Sequence, residues 1–216
     1  MKIEATLVLA VLTLALATMT SAVADESLSK QAESGDVDAQ AELGFRYANG
    51  DGVPQDDVQA VKWYRRAAGQ GDAQSQHNLG VMYKHGKGVP QDHAEAVEWW
   101  RMAAEQDHRG AQFNLGVAYS RGEGVPQDYA EGAKWVRRAA EQGYAVAQYL
   151  VGESYYFGRG VPQDHIQAHK WWNLAASQGH EGATKNLDIM AEDMTPAQIA
   201  EAQKLAQEWH AQHASN

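Results

Sequence analysis

The residues best spaced for chemistry are His165 and His169, four apart, a spacing that on a helix sets two imidazoles on one face within reach of a single metal ion. The zinc-protease form of this spacing needs a glutamate directly after the first histidine, and Ile166 stands there instead. No third ligand is marked, and Val61, Val97 and Ala133 take the place of His169 in the equivalent segments, so the pair reads as structural and partly exposed. Ser27-Leu28-Ser29-Lys30 has the Ser-x-x-Lys form of penicillin-binding enzymes, but their Lys-Thr-Gly and Ser-Asp-Asn partners are missing. Among the carboxylates, Asp56, Asp92, Asp128 and Asp164 recur periodically, and no pair suited to acid–base hydrolysis stands out from that background. The absence of cysteine excludes thiolate metal sites, cysteine nucleophiles and disulfides. The expectation is a chain with no catalytic residue, no metal and no cofactor.

The elements around these residues are periodic. Gly-Val-Pro-Gln-Asp occurs at Gly52, Gly88, Gly124 and Gly160, and each start lies 36 residues after the last. A period of this size marks a stacked-repeat architecture, which moves the question from catalytic site to binding surface. Within a copy, Gln40, Leu43, Gly44 and Tyr47 fall at the i, i+3, i+4, i+7 positions of one helix face, so residues about 37 to 48 read as a first helix, A. Gly44 inside that helix implies a close helix contact, since glycine there otherwise costs about 1 kcal/mol against alanine. The loop glycines and Pro54 stop helix A. Asp56 then caps a second helix, B, and with Gln59 three residues on has capping-box spacing, repeated by Asp92 with Glu95, Asp128 with Glu131 and Asp164 with Gln167.

Helix B carries Ala60, Trp63, Tyr64, Ala67 and Ala68 on one face, large rings set against small notches. Trp63, Trp99, Trp135 and Trp171 recur in the frame and are expected to be buried, so that truncating Trp99 to alanine costs about 3–5 kcal/mol. Gly71, Gly143 and Gly179 stand where a left-handed helix terminator belongs, and Asp107 replaces it in the second copy, where the cap must be strained or rebuilt. The frame divides the chain into a partial repeat (25–35), four full repeats (36–71, 72–107, 108–143, 144–179) and a degenerate fifth repeat with a closing helix (180–216), with no domain boundary inside the array. Thr195, Pro196 and Gln198 open the closing helix as a capping box, and Ile199, Ala202, Ala206 and Trp209 give it an apolar face.

A formal charge of -10 argues against non-specific nucleic-acid binding, which needs a basic face. Lys2, the apolar run Ala5 to Ala17 and Ala22-Val23-Ala24 read as an export signal over residues 1–24, cleaved before Asp25; the alternative is an uncleaved anchor. The chain is thus expected in the periplasm or secreted, with no membrane span once the signal is removed.

The frame Leu-Gly-x-x-Tyr, Gly-x-Gly-Val-Pro-x-Asp, Ala-x-x-Trp and Ala-Ala-x-x-Gly resembles the Sel-1-like repeat, a subfamily of tetratricopeptide-type helical repeats. The resemblance implies an all-α fold, a right-handed α/α superhelical solenoid of helix-turn-helix repeats, and an adaptor that binds a protein or peptide in envelope or host-interaction complexes. A cysteine-rich exported branch of the family is reported to bind β-lactams, but this chain lacks the cysteines of that branch. A β-lactam- or cell-wall-active enzyme and a structural spacer stay as alternatives. Carrying over the groove of tetratricopeptide-type repeats selects helix A positions that differ between copies. These are Asp38, Ala41, Phe45, Ala48 and Asn49; Gln74, His77, Val81, Lys84 and His85; Gly110, Phe113, Val117, Ser120 and Arg121; and Val146, Tyr149, Glu153, Tyr156 and Phe157. Exposed aromatics commonly anchor interfaces, so Phe113, Tyr149, Tyr156 and Phe157 either bind a partner or fill wider gaps between repeats.

Overall fold

A computed structural model describes residues 26–213, which fold into helices and turns with no strand among them. The signal or anchor read over residues 1–24 lies outside the described residues. None of the described helices is long and apolar enough to cross a membrane. The helices are α1 (residues 26–33), α2 (Val37–Asn49), α3 (Asp57–Gly69), α4 (Ala73–His85), α5 (His93–Glu105), α6 (Arg109–Arg121), α7 (Tyr129–Glu141), α8 (Ala145–Phe157), α9 (His165–Ser177), α10 (Glu181–Ala191) and α11 (Pro196–His213). Even-numbered members from α2 to α10 are A helices, and odd-numbered members from α3 to α9 are B helices. The chain resolves into two compact units, one ending at Gln91 and the other starting at Asp92.

In the first unit α2 packs on α3 and α3 on α4. Its core joins Ala32, Ala39, Leu43 and Trp63, with Leu28 and Tyr47 against them. The partial repeat thus supplies a real B-helix end, closed by Gly35 at φ 105°. In the second unit one core gathers Val136, Ala139, Ala147, Val151, Trp171, Leu174 and Ala206, and another Ala168, Trp172, Ala175, Ala183, Met190 and Met194. The closing helix α11 lies on α9 through Ala206 and Trp209.

The glutamine, aspartate and glycine of the repeated loop each have a structural task. The glutamine amide donates to a last-turn carbonyl of its A helix, Gln55 to Ala48 at 3.0 Å, Gln91 to Lys84 at 2.7 Å, Gln127 to Ser120 at 2.9 Å and Gln163 to Tyr156 at 2.8 Å. Asp56 accepts from the Val58 and Gln59 amides, Asp92 and Asp128 act likewise, and Asp164 accepts from Gln167. The reciprocal arm expected of a capping box is not made, because the Asp56, Asp128 and Asp164 N–H groups already donate to the carbonyls of Tyr47, Tyr119 and Tyr155 at 2.9–3.0 Å. That bond folds the loop back onto its own A helix. The glycine of the pentapeptide does more than turn the chain. A Cβ on Gly124 would meet the His93 carbonyl, and one on Gly160 the Tyr129 carbonyl, so each loop lies directly on the first turn of the preceding B helix.

Trp63, Trp135 and Trp171 are buried as expected, whereas Trp99 is only half-buried and its indole N–H donates to Glu95 at 3.0 Å. The buried tryptophan of that copy is its neighbour Trp100. Trp100 falls in the column of Tyr64, Val136 and Trp172, all of which are buried. Asp107 holds φ 60°, the one non-glycine residue of positive φ among those described, and its side chain accepts from the Gln112 amide at 3.1 Å. The terminator of the second copy is therefore rebuilt around a side-chain hydrogen bond.

Candidate partner-binding face

The residues that repeat without change are consumed by the scaffold. Gln40, Gln76, Gln112 and Gln148 donate to the carbonyls of Ala32, Ala68, Ala104 and Ala140 at the end of the preceding helix. Gln70, Gln142 and Gln178 then donate to the side-chain oxygens of Gln40, Gln112 and Gln148, each at 2.8 Å. Arg65 and Arg101 reach forward to the hydroxyls of Tyr83 and Tyr119 at 2.7 and 3.0 Å, and Arg137 does the same to Tyr155. Buried polar groups must be paired, so these ladders fix the register of neighbouring repeats. Gln40 and Tyr47 were legible in the repeat frame; their partners recur as columns too, but spacing carries no sign of who meets whom.

Most of the variable positions line three hollows, one in the first unit and two in the second. In the first unit a groove of about 710 Å³ runs between α2 and α4. It takes all five predicted positions of the first copy, Asp38, Ala41, Phe45, Ala48 and Asn49, together with Gln74 and Val81. His77, Lys84 and His85 lie outside its lining. Tyr64 forms part of its wall, and burial pushes the phenol up to about 12, against a hydrogen bond from Asn78 that pulls it down.

In the second unit a groove of about 530 Å³ between α6 and α8 is lined by Val117, Ser120, Arg121 and Glu153, with Gln127, Tyr129, Leu150 and Arg159. A smaller cavity of about 170 Å³ follows between α8 and α10, walled by Glu153, Tyr156, Phe157, Trp172, Asn186, Ile189 and Met190. Glu153 belongs to both. Phe113 joins neither hollow; its ring meets Tyr144 edge-on at 5.3 Å and packs against the Val136 core. Tyr149 stacks on His180 at 4.5 Å and donates its hydroxyl to Glu153 at 3.0 Å. Burial, then the Glu153 charge, raise the Tyr149 phenol above its ordinary value. Phe157 remains 53% exposed, as do Phe45 at 47% and Ile189 at 61%. Asn186 and Ile189 were missed as site residues. Ile189 lies one period beyond Glu153, so extending the frame into the degenerate fifth copy finds it.

The chemistry weighed at the outset meets ordinary structural use. His169 is buried rather than partly exposed, because its column faces the core in every copy, and desolvation lowers its imidazole below the ordinary value. His165 stacks on Tyr156 at 5.4 Å. Among the described residues no group of His, Asp and Glu side chains is placed to hold a metal ion. Lys30 pairs with Glu26 at 2.6 Å on an exposed helix face.

Helix pairs of fixed length, joined by one loop design and stacked through side-chain ladders, define an α-helical repeat protein. The Sel1 repeat family model matches residues 37–72, 73–108, 110–144 and 145–180, and the chain belongs to this family. A crystal structure of c5321, described as a protective antigen present in uropathogenic Escherichia coli strains displaying an SLR fold, is similar with a TM-score of 0.80 at 39% identity, over 87% of this chain and 40% of its own. A Sel1 repeat protein from Oxalobacter formigenes is similar with a TM-score of 0.71 at 38% identity, over 77% of this chain and 49% of its own. A segment of 42 residues is 50% identical to the secretory immunoglobulin A-binding protein EsiB of Escherichia coli O6:H1 (strain CFT073), covering 19% of this chain and 9% of that protein. The chain thus spans less than half the length of each of these relatives.

Proposed function

We propose that this chain is an exported, non-catalytic adaptor that binds a protein or peptide through the variable face of its A helices. The observation that carries this reading is a division of labour. The repeated residues build the ladders and caps, while most of the positions that change from copy to copy line open hollows that leave Phe45, Phe157 and Ile189 exposed. Large apolar side chains held at a surface beside polar rims are typical of interaction sites. Protein ligands also suit the Sel1 repeat family, and one relative is named for binding an immunoglobulin. The residues proposed to meet the partner are His77, Val81, Lys84, His85, Val117, Arg121, Glu153, Tyr156 and Phe157, with Phe113 and Tyr149 as supports. Export follows from the signal read over residues 1–24.

A photoreactive residue placed at Phe45 or Phe157, compared in living cells with one at exposed Glu201 on α11, tests the reading. Both groove positions should capture one and the same partner while Glu201 does not. Equal capture from Glu201, or none from either groove, would overturn it.

A further inference from the structure

The cavity between α8 and α10 allows the adaptor reading, on which this inference rests, to be extended to the chemistry of the partner. Its walls combine aromatic surface with a single carboxylate. Tyr156 meets Phe157 edge-on at 4.9 Å and lies tilted at 5.4 Å from Trp172, and Glu153 closes the side shared with the neighbouring groove. Glu153 accepts from the Tyr149 hydroxyl at 3.0 Å, which orients the carboxylate, and among the described residues it forms no ion pair. The basic groups of the adjoining groove are otherwise engaged, Arg121 with Glu123 at 3.5 Å and Arg159 over the Phe157 ring at 4.8 Å. That last contact places a guanidinium on one of the cavity's own rings. The Trp172 N–H is taken by the Tyr149 carbonyl at 3.1 Å, so the indole offers no donor to an anion.

Ring faces attract cations through their quadrupole, and a planar guanidinium also stacks on them while pairing with a carboxylate. A hollow of about 170 Å³ has room for one long side chain. We propose that the cavity walled by Glu153, Tyr156, Phe157 and Trp172 receives a cationic side chain, arginine in preference to lysine, presented by the protein partner.

Ethylguanidinium and its uncharged counterpart ethylurea, titrated into the full chain while the ring resonances of Tyr156 and Phe157 are followed by NMR, test this directly. Ethylguanidinium should shift these signals saturably and bind about tenfold more tightly than ethylurea, and Glu153→Gln should cut that advantage to about threefold. Phe157→Leu, which keeps apolar bulk but removes the ring, should weaken ethylguanidinium about threefold and leave ethylurea unchanged. Equal binding of the two probes, binding of neither, or an unaltered affinity in a folded Glu153→Gln chain would each refute the assignment. Capture from a photoreactive residue at Phe45 separates the two ideas. A partner held at undiminished yield by the Glu153→Gln chain sinks the cation cavity and spares the adaptor, whereas no partner from the wild-type grooves sinks the adaptor reading itself.

Discussion

At Gly152 a Cβ would strike the Trp172 indole, and at Gly44 it would lie 2.5 Å from the Tyr64 ring, so the small residue of these two A helices is the seat of a large ring on helix B, whereas Gly116 meets Val136 and the Gly132 backbone. Gly152→Ala is expected to destabilise the chain by about 1–3 kcal/mol, because a rigid buried indole cannot give way without dragging α9. Denaturant unfolding measures this, and an unchanged or raised stability, as alanine for glycine gives at an exposed helix site, would show that the contact is soft. His169 supplies the pH-dependent counterpart. The unfolded imidazole protonates below its ordinary value of 6.5, while burial makes the folded one resist. The stability tied to the neutral ring is therefore whole above pH 6.5 and is lost as the pH falls through the lower folded value. Wild type should lose up to about 1.4 kcal/mol per pH unit more than His169→Val in that window, read from paired denaturant midpoints. The ring-and-notch pattern was legible in the sequence because the rings recur, Tyr64, Trp100 and Trp172 holding a column that only Val136 breaks. The choice between Trp99 and Trp100 was not, since adjacent tryptophans both fit a broad apolar face and only packing decides which turns inward.

At the scale of the element, helix stops and starts were the easiest features to read. Glycine, proline and aspartate act through local backbone geometry, so the loops could be placed to within a residue or two. The return bond from Asp56 to the Tyr47 carbonyl could not be read, because it joins groups brought together only when the loop closes. Asp107 gives the sharpest test of how a helix B ends. A non-glycine residue at φ 60° carries backbone strain, partly offset here by the hydrogen bond between its carboxylate and Gln112. Asp107→Ala keeps the strain and removes the bond, and should cost about 1–2 kcal/mol. Asp107→Gly removes both and should fall within about 0.5 kcal/mol of wild type. Thermal unfolding of the two variants side by side separates them, and equal losses would mean that the hydrogen bond, rather than the φ angle, decides the cap.

At the scale of the molecule the repeat frame foretold the all-α architecture and the family, because identical units that cannot bury their faces alone must stack. It foretold less about the candidate face. Phe113 and Tyr149 sit at variable positions yet turn into packing and support, while Asn186 and Ile189 join the hollow from a copy too degenerate to match the pattern. Variation alone cannot distinguish a residue released from packing from one recruited to a new packing task. The closing helix raises the matching question for stability. Ala206 is 1% exposed against the Trp171 and Leu174 core, and Trp209 lies 6.5 Å from Trp171, so α11 shields the apolar side of α9 much as a further repeat would. Its first turn is fixed by a true capping box, with the Thr195 N–H donating to the Gln198 side chain at 2.9 Å and the Gln198 N–H returning to the Thr195 hydroxyl at 3.3 Å. Ending the chain after Met194 should therefore lower amide-exchange protection in α9 by about tenfold or more while α5 and α6 change little, since a repeat array transmits a loss chiefly to nearest neighbours. Hydrogen exchange read helix by helix checks this. A loss spread evenly from α5 to α9 would mean that the second unit unfolds as one cooperative body and that α11 stabilises all of it at once.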